Sequence, residues 1–302
     1  MRRLPAALCA SALALLAACS SGQQAALPKG DCPVAPARVT VSVNQWSDLV
    51  RTLAGDCAVV QTVVESTATD PHEFEPTPAD TAKITDADLV VVNGLGYDEW
   101  ATKALSTARD IPSVAAATAA GRSKGDNPHV WYDPDAHQKV AVAVTSALTR
   151  LRPGATTYLQ QRSAAWAKDQ VPYRQAVDRT SMVAKARTYV ATEPLADDLA
   201  AAVGMKNLTP KGFARATANE SEPAPGDVSK MLDVLRSGKV DVLIVNSQVQ
   251  GQLNDRLVGA AHAAKVPVVR LTETLPPGSN GFVGWQVAQL DDLAAALSGA
   301  HQ

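Results

Sequence analysis

Two histidines stand in closely similar settings. His72 lies within Asp70-Pro71-His72-Glu73-Phe74-Glu75-Pro76, and His129 within Asn127-Pro128-His129-Val130-Trp131-Tyr132-Asp133-Pro134. In each, one proline precedes the imidazole and another closes the segment, so the ring is carried on backbone of restricted freedom. Imidazole is the commonest metal ligand, and two rings from separate loops suit a divalent ion held in a preformed cleft. Carboxylates can complete such a site. Glu193 directly follows Tyr189-Val190-Ala191-Thr192, and Glu273 follows a run ending at Leu271. Both runs read as parallel strands, and ligands of open α/β sheets collect at the carboxyl ends of strands. Each acid also has a plainer reading, Glu193 as an acid favoured at the start of a helix and Glu273 as a surface charge. Asp70, Glu73 and Glu75 could accept an imidazole N–H beside His72 and set its tautomer, or could simply face solvent. The other histidines lack a partner motif: His137, early on a helix, reads as solvated, His262 as packing or surface, and His301 is terminal. Trp100 and Trp131 read as packing residues.

The elements that must position these side chains follow from periodicity and composition. The chain has 302 residues, 46% apolar and 19% charged, with 28 Lys+Arg against 30 Asp+Glu. That balance excludes a strongly basic nucleic-acid binder and a disordered chain of low hydrophobicity. Aromatic residues are only 4%, so Ala, Val and Leu must fill the core, as in helices packed on a sheet. Strands at 39–43, 58–64 and 88–94 alternate with helices at 45–54, 79–85 and 98–108, and a helix at 136–151 closes a first lobe. Such alternation implies βαβ units and a parallel sheet. Residues 155–181 are polar, lack glycine and keep helical periodicity, predicting one long helix bent at Pro172. The alternation then restarts, with strands at 187–192, 240–245 and 266–271 and helices at 194–203, 225–237, 254–265 and 285–297. The expectation is an α/β protein of two lobes, each a small mostly parallel sheet flanked by helices, joined by one long helix, with the ligand cleft between them. The divisions are 38–153 for the N-terminal lobe, 154–182 for the linking helix and 183–302 for the C-terminal lobe.

The N-terminus does not belong to that fold. Met1-Arg2-Arg3 precedes an apolar run from Leu4 to Ala18, too short to span a bilayer but suited to a signal peptide. It ends in Leu16-Ala17-Ala18-Cys19, which resembles the site at which bacterial lipoproteins are cleaved and lipidated. Residues 1–18 thus read as a signal peptide, Cys19 as the lipid attachment point and 19–37 as a flexible tether. Loss of the signal removes two arginines and no acid, moving the formal charge from −2 to −4. Of four cysteines, Cys9 leaves with the signal and Cys19 carries lipid. Cys32 and Cys57 remain, and in an oxidising compartment they read as one disulfide, a pair of free thiols being the alternative.

Five segments together carry a resemblance. The two histidine segments, Asn93-Gly94-Leu95-Gly96-Tyr97-Asp98-Glu99-Trp100, Glu220-Ser221-Glu222-Pro223 and Thr272-Glu273-Thr274-Leu275-Pro276-Pro277 resemble the solute-binding lipoproteins of zinc and manganese ABC importers, in order, from about residue 39 to the C-terminus. The resemblance implies a two-lobed binding protein with a rigid linking helix, small lobe movement and one divalent metal in the cleft. It implies His72 and His129 as ligands, with Glu193 at a position that is His in typical zinc binders and Glu in typical manganese binders. Its fourth ligand is commonly Asp; here Glu273 is the candidate, a departure from that pattern. It further implies an ABC permease as partner, membrane attachment by lipid alone, an extracytoplasmic location and a monomer without nucleic acid.

Two imidazoles with two carboxylates suit the higher coordination of Mn²⁺ or Fe²⁺, whereas four-coordinate Zn²⁺ sites are commonly richer in His or Cys. Residues 117–127 also lack the His-rich loop frequent in the family's zinc members. Manganese is therefore favoured over zinc. A metal-dependent hydrolase is the rival class, opposed by the absence of a His-Glu-x-x-His helix. A surface adhesin on the same scaffold is a second rival.

Overall fold

The computed structural model describes residues 30–66, 74–108 and 110–299. The signal peptide, Cys19 and most of the tether lie outside these residues, as do Asp70, His72 and Glu73.

The first lobe runs β1 (Ala37–Val43), α1 (Asn44–Ala54), β2 (Ala58–Val64), α2 (Pro78–Thr85), β3 (Leu89–Val92), α3 (Glu99–Thr107), β4 (Ser113–Ala115), α4 (Ala116–Ala119) and α5 (Ala136–Leu151). Its sheet has the order β2-β1-β3-β4 with every pairing parallel. The central strand Leu89-Val90-Val91-Val92 is buried at every residue, as expected where helices cover both faces. α2 begins in a reciprocal cap: the Thr77 hydroxyl accepts from the Asp80 amide while Asp80 accepts from that of Thr77, and Pro78 occupies the first turn. The short edge strand β4 has too few residues to show a period and escapes sequence reading.

The joining segment is helical and divides at Gln170 into α6 (Thr156–Asp169) and α7 (Val171–Ala184). The division falls where Pro172 predicts a bend. Proline sits in the first turn of α7, where a missing N–H leaves no bond unmade.

The second lobe runs β5 (Thr188–Ala191), α8 (Asp197–Ala202), β6 (Lys206–Asn207), α9 (Lys211–Ala218), α10 (Pro225–Arg236), β7 (Val242–Asn246), α11 (Gln252–Ala263), β8 (Val268–Leu271) and α12 (Gly281–Leu297). The order β6-β5-β7-β8, again all parallel, repeats that of the first sheet. Residues of β5 and β7 alternate between two apolar clusters. Val190, Leu243 and Val245 meet Phe213, Met231, Leu232 and Leu257 on the outer side. Tyr189, Ala191, Val242 and Ile244 belong to a larger cluster that continues through α12 into the first lobe. Trp46 of α1 stacks with Phe282 of α12, ring centroids 6.1 Å apart. Beside them the Phe282 amide donates to Asp48 Oδ2 at 2.8 Å. Gly281 makes that approach, since its φ is +67° and a Cβ there would lie 2.9 Å from the same oxygen.

Two expectations concern local chemistry. Cys32 and Cys57 are disulfide-bonded, Cα atoms 5.0 Å apart, tying the segment before β1 to the turn between α1 and β2. His137 is not solvated but buried on the inner face of α5 with Val140, Ala141 and Val144. A spacing of three, four and seven residues places it there, and the sequence reading erred by sending a polar side chain outward. Its Nε2 donates to the Trp131 carbonyl at 2.8 Å, and the ring lies 4.7 Å from those of both Tyr173 and Phe282.

Candidate metal centre

The second lobe supplies its part of the site from three adjacent strands. Glu193 follows β5, Asn246 is the last residue of β7, and Glu273 follows β8, so all three side chains rise from one carboxyl edge. Asn246 occupies the middle strand. Its Nδ2 donates to Oε1 of Glu193 and, at 2.9 Å, to Oε1 of Glu273. Its Oδ1 accepts from the Gln248 amide at 2.9 Å, which fixes the orientation of the side-chain amide.

The first lobe supplies His129 from the loop after α4. The His129 backbone N–H donates to Asn127 Oδ1 at 3.0 Å, and Asn127 Nδ2 donates to the Pro194 carbonyl at 2.7 Å. These two main-chain partners define which end of the amide is oxygen. His129 Nδ1, 2.7 Å from the same oxygen, must therefore carry the proton. Nε2, 3.5 Å from Glu273 Oε1, is then the nitrogen that offers its lone pair when a metal is bound.

Behind His129, a buried carboxylate holds the loop. Asp98 Oδ2 accepts from the Asn93 amide at 2.6 Å and Oδ1 from the Gly94 amide at 2.8 Å. Burial pushes its pKa upward despite these bonds and that from the Ser42 hydroxyl. Asn93 in turn donates from Nδ2 to the Pro128 carbonyl at 2.9 Å and accepts from Trp46 Nε1 at 3.0 Å. Gly94, Leu95 and Gly96 have successive φ values of +86°, +57° and +87°. Two glycines make this left-handed turn affordable to the backbone, and the turn delivers Tyr97 into the cleft. Tyr97 packs edge-on against Trp131 and His129, at 4.9 and 6.0 Å between ring centroids. Its hydroxyl donates to Glu273 Oε2 at 3.0 Å.

His129, Glu193 and Glu273 each present a ligand atom within 4.8 Å of the others. His129 and Glu273 are buried, at 5% and 6% exposure, which is the setting in which donors meet a cation with little competition from bulk water. Glu193 and Glu273 thus lie in the cleft with His129. Glu75 is exposed and stands outside this cluster; His72, Asp70 and Glu73 lie outside the described residues. Tyr132 also crosses the cleft. Its hydroxyl shares one proton between the Thr272 carbonyl at 2.8 Å and Gln289 Oε1 at 2.6 Å. Burial first, and then the charges of Glu273 and Glu193, hold the Tyr132 pKa well above its ordinary value. Arg122 adds a cross-lobe ion pair, reaching Asp133 at 2.7 Å and Asp198 at 2.9 Å.

Sequence reasoning missed Asn246, Asn127 and Tyr97 as working parts of the site. For Asn246 a signal existed: once Glu193 and Glu273 are placed after neighbouring strands, the residue ending the strand between them must share their edge. For Asn127, the signal was its place two residues before His129.

Two parallel-sheet α/β lobes, with imidazole and carboxylate groups converging between them, define a protein of the two-lobed solute-binding class. The chain belongs to the ZnuA family, described as zinc-uptake complex component A, periplasmic, whose model matches residues 39–296. Among curated relatives, the manganese-binding lipoprotein MntA of Halalkalibacterium halodurans is 25% identical, over 86% of this chain and 88% of that protein. The high-affinity zinc uptake system protein ZnuA of Bacillus subtilis is 23% identical, over 95% of each. The periplasmic zinc-binding protein TroA of Treponema pallidum has the same fold, with a TM-score of 0.75 and 22% identity over 87% of this chain and 99% of that one.

Proposed function

We propose that this protein captures one divalent transition-metal ion in the cleft and delivers it to the permease of an ABC importer. The observation that carries the reading is the convergence of His129 Nε2 with the carboxylates of Glu193 and Glu273. The names of its relatives support it: they are metal-binding and metal-uptake proteins, one of them a metal ABC transporter substrate-binding lipoprotein, rather than enzymes. His72 is proposed as the fourth ligand on the resemblance of its motif. Two imidazoles with two carboxylates offer up to four oxygens and suit the higher coordination of manganese ahead of zinc, and relatives named for manganese, zinc and iron occur. We place the protein outside the cytoplasmic membrane, held by lipid on Cys19 and acting as a monomer. No helix among the described residues is long and apolar enough to cross a membrane.

Elemental analysis of protein purified without chelator, followed by calorimetric titration with Mn²⁺ and Zn²⁺, tests this reading. One bound ion per chain is expected, with affinity largely lost in His129→Ala and reduced in Glu193→Ala and Glu273→Ala. Unchanged binding in a His72→Ala, His129→Ala double variant would show that the site has been misplaced.

A further inference from the structure

We propose that Asn246 is the positioning residue that presents Glu193 and Glu273 to the metal as a preassembled pair and so sets the coordination of the bound ion. The inference rests on the metal-capture reading above and goes further, because it assigns the second lobe an organised half-site and names the group that organises it. A side-chain amide nitrogen has two hydrogens directed well apart in one plane. Here each is used on a different carboxylate, Oε1 of Glu193 and Oε1 of Glu273. One small neutral group therefore fixes the separation and rotation of two like-charged side chains that would otherwise repel.

The amide is itself held on every side. Its oxygen takes the Gln248 N–H, and the Asn246 backbone N–H lies 3.2 Å from the Thr192 hydroxyl, in the residue before Glu193. Gln248 then carries the template to the other acid: its Nε2 donates to the Thr274 hydroxyl at 2.7 Å and its Oε1 accepts from the Thr274 amide at 2.9 Å. Ser247 donates from its backbone and side chain to the Leu271 carbonyl, both at 2.9 Å. Residues 246–248 thus key both flanking loops to the end of the middle strand. All of these partners belong to the second lobe, so the spacing of the carboxylate pair does not depend on His129; the first lobe adds the Tyr97 hydroxyl, which donates to Glu273 Oε2. Groups that hold metal ligands typically change affinity by about 10–100-fold when removed.

The test uses Asn246→Leu and Asn246→Asp in the full-length protein, with Co²⁺ and Mn²⁺ as probes. Aspartate keeps the shape and the oxygen that accepts from Gln248 while replacing both donors, so it covers the case in which the leucine variant fails to fold. It also separates positioning from charge, because an added negative charge alone would tighten cation binding. The expected result is a 10–100-fold loss of Mn²⁺ affinity in the leucine variant, no gain in the aspartate variant, and in both a Co²⁺ visible absorption spectrum altered in intensity and band position, reporting a changed coordination number. A purely structural role would lower thermal stability and leave the bound-Co²⁺ spectrum as in wild type. That spectrum, or tighter binding by Asn246→Asp, overturns the proposal. Wild-type and His129→Ala proteins are titrated in parallel. If wild type binds, His129→Ala does not, and the Asn246 variants match wild type, the metal site stands and Asn246 has no positioning role. If wild type takes up no ion, the metal-capture reading fails, and this inference with it.

Discussion

Tyr97 and Glu273 meet across the cleft. The Tyr97 hydroxyl donates to Glu273 Oε2 at 3.0 Å while Gln45 Nε2 donates to that hydroxyl at 2.7 Å. A proposed ligand of the second lobe is thereby fastened to α1 of the first through a neutral relay.

Removing only the hydroxyl, in Tyr97→Phe, keeps the ring against Trp131 and His129 and breaks that fastening. A hydrogen bond to a charged group contributes about 1.5–3 kcal/mol, and Glu273 retains Asn246, so the lower end applies. Mn²⁺ affinity measured by calorimetry should fall about tenfold, with far-ultraviolet circular dichroism unchanged.

Asn127 serves His129 and the opposite lobe with different ends of one amide. Asn127→Ala releases both, and metal affinity should fall about 10–100-fold. Asn127→Asp preserves the acceptor for Nδ1–H and loses only the bond to the Pro194 carbonyl. It should bind within a few-fold of wild type. Equal losses in the two variants would show that the tautomer is set elsewhere.

His137 makes stability sensitive to acid. Burial lowers its pKa from 6.5 to about 4. Above the unfolded value both states are neutral and the group contributes nothing. As pH falls from 6.5 toward 4 only the unfolded chain takes up the proton, so stability declines through that window by about 3 kcal/mol in all. His137→Phe, which suits the ring neighbours Tyr173 and Phe282, should flatten this decline in urea titrations at pH 7 and pH 5. It should also cost about 1 kcal/mol at pH 7 through the lost bond to Trp131.

The disulfide joins residues 25 apart in sequence, a loop for which chain-entropy arguments give about 3.5 kcal/mol. A Cys32→Ser, Cys57→Ser double variant should melt about 5–10 °C lower. Its metal affinity should be unchanged, since the bridge lies at the amino ends of β1 and β2 and the candidate site at the carboxyl edge of its sheet.

Much of this architecture was legible in the sequence because long apolar runs of period two and helical runs of period 3.6 are strong signals. β1, β2, α5 and α10 fall close to their expected spans. The elements that escaped were short or polar: β4, the four residues of α4, the two residues of β6, and α9. His129, Glu193 and Glu273 could be nominated from strand ends and proline-framed loops. Their union in one cleft was expected from the resemblance alone; the contacts that make it, such as Tyr97 with Glu273 and Asn127 with Pro194, join residues far apart in the chain and leave no local signal. His137 shows the opposite limit, where residue type misled and helical phase would have answered correctly.

The apolar cluster that runs from the first sheet through α12 to the inner face of the second has a calorimetric consequence. Neither half can lose its packing without exposing the other's, so the described fold should melt in a single endotherm, with van't Hoff and calorimetric enthalpies equal. An ion bound at one point of the cleft then stabilises the whole cooperative unit against global unfolding. At a thousandfold excess over its dissociation constant it should raise the unfolding free energy of the whole molecule by about 4 kcal/mol.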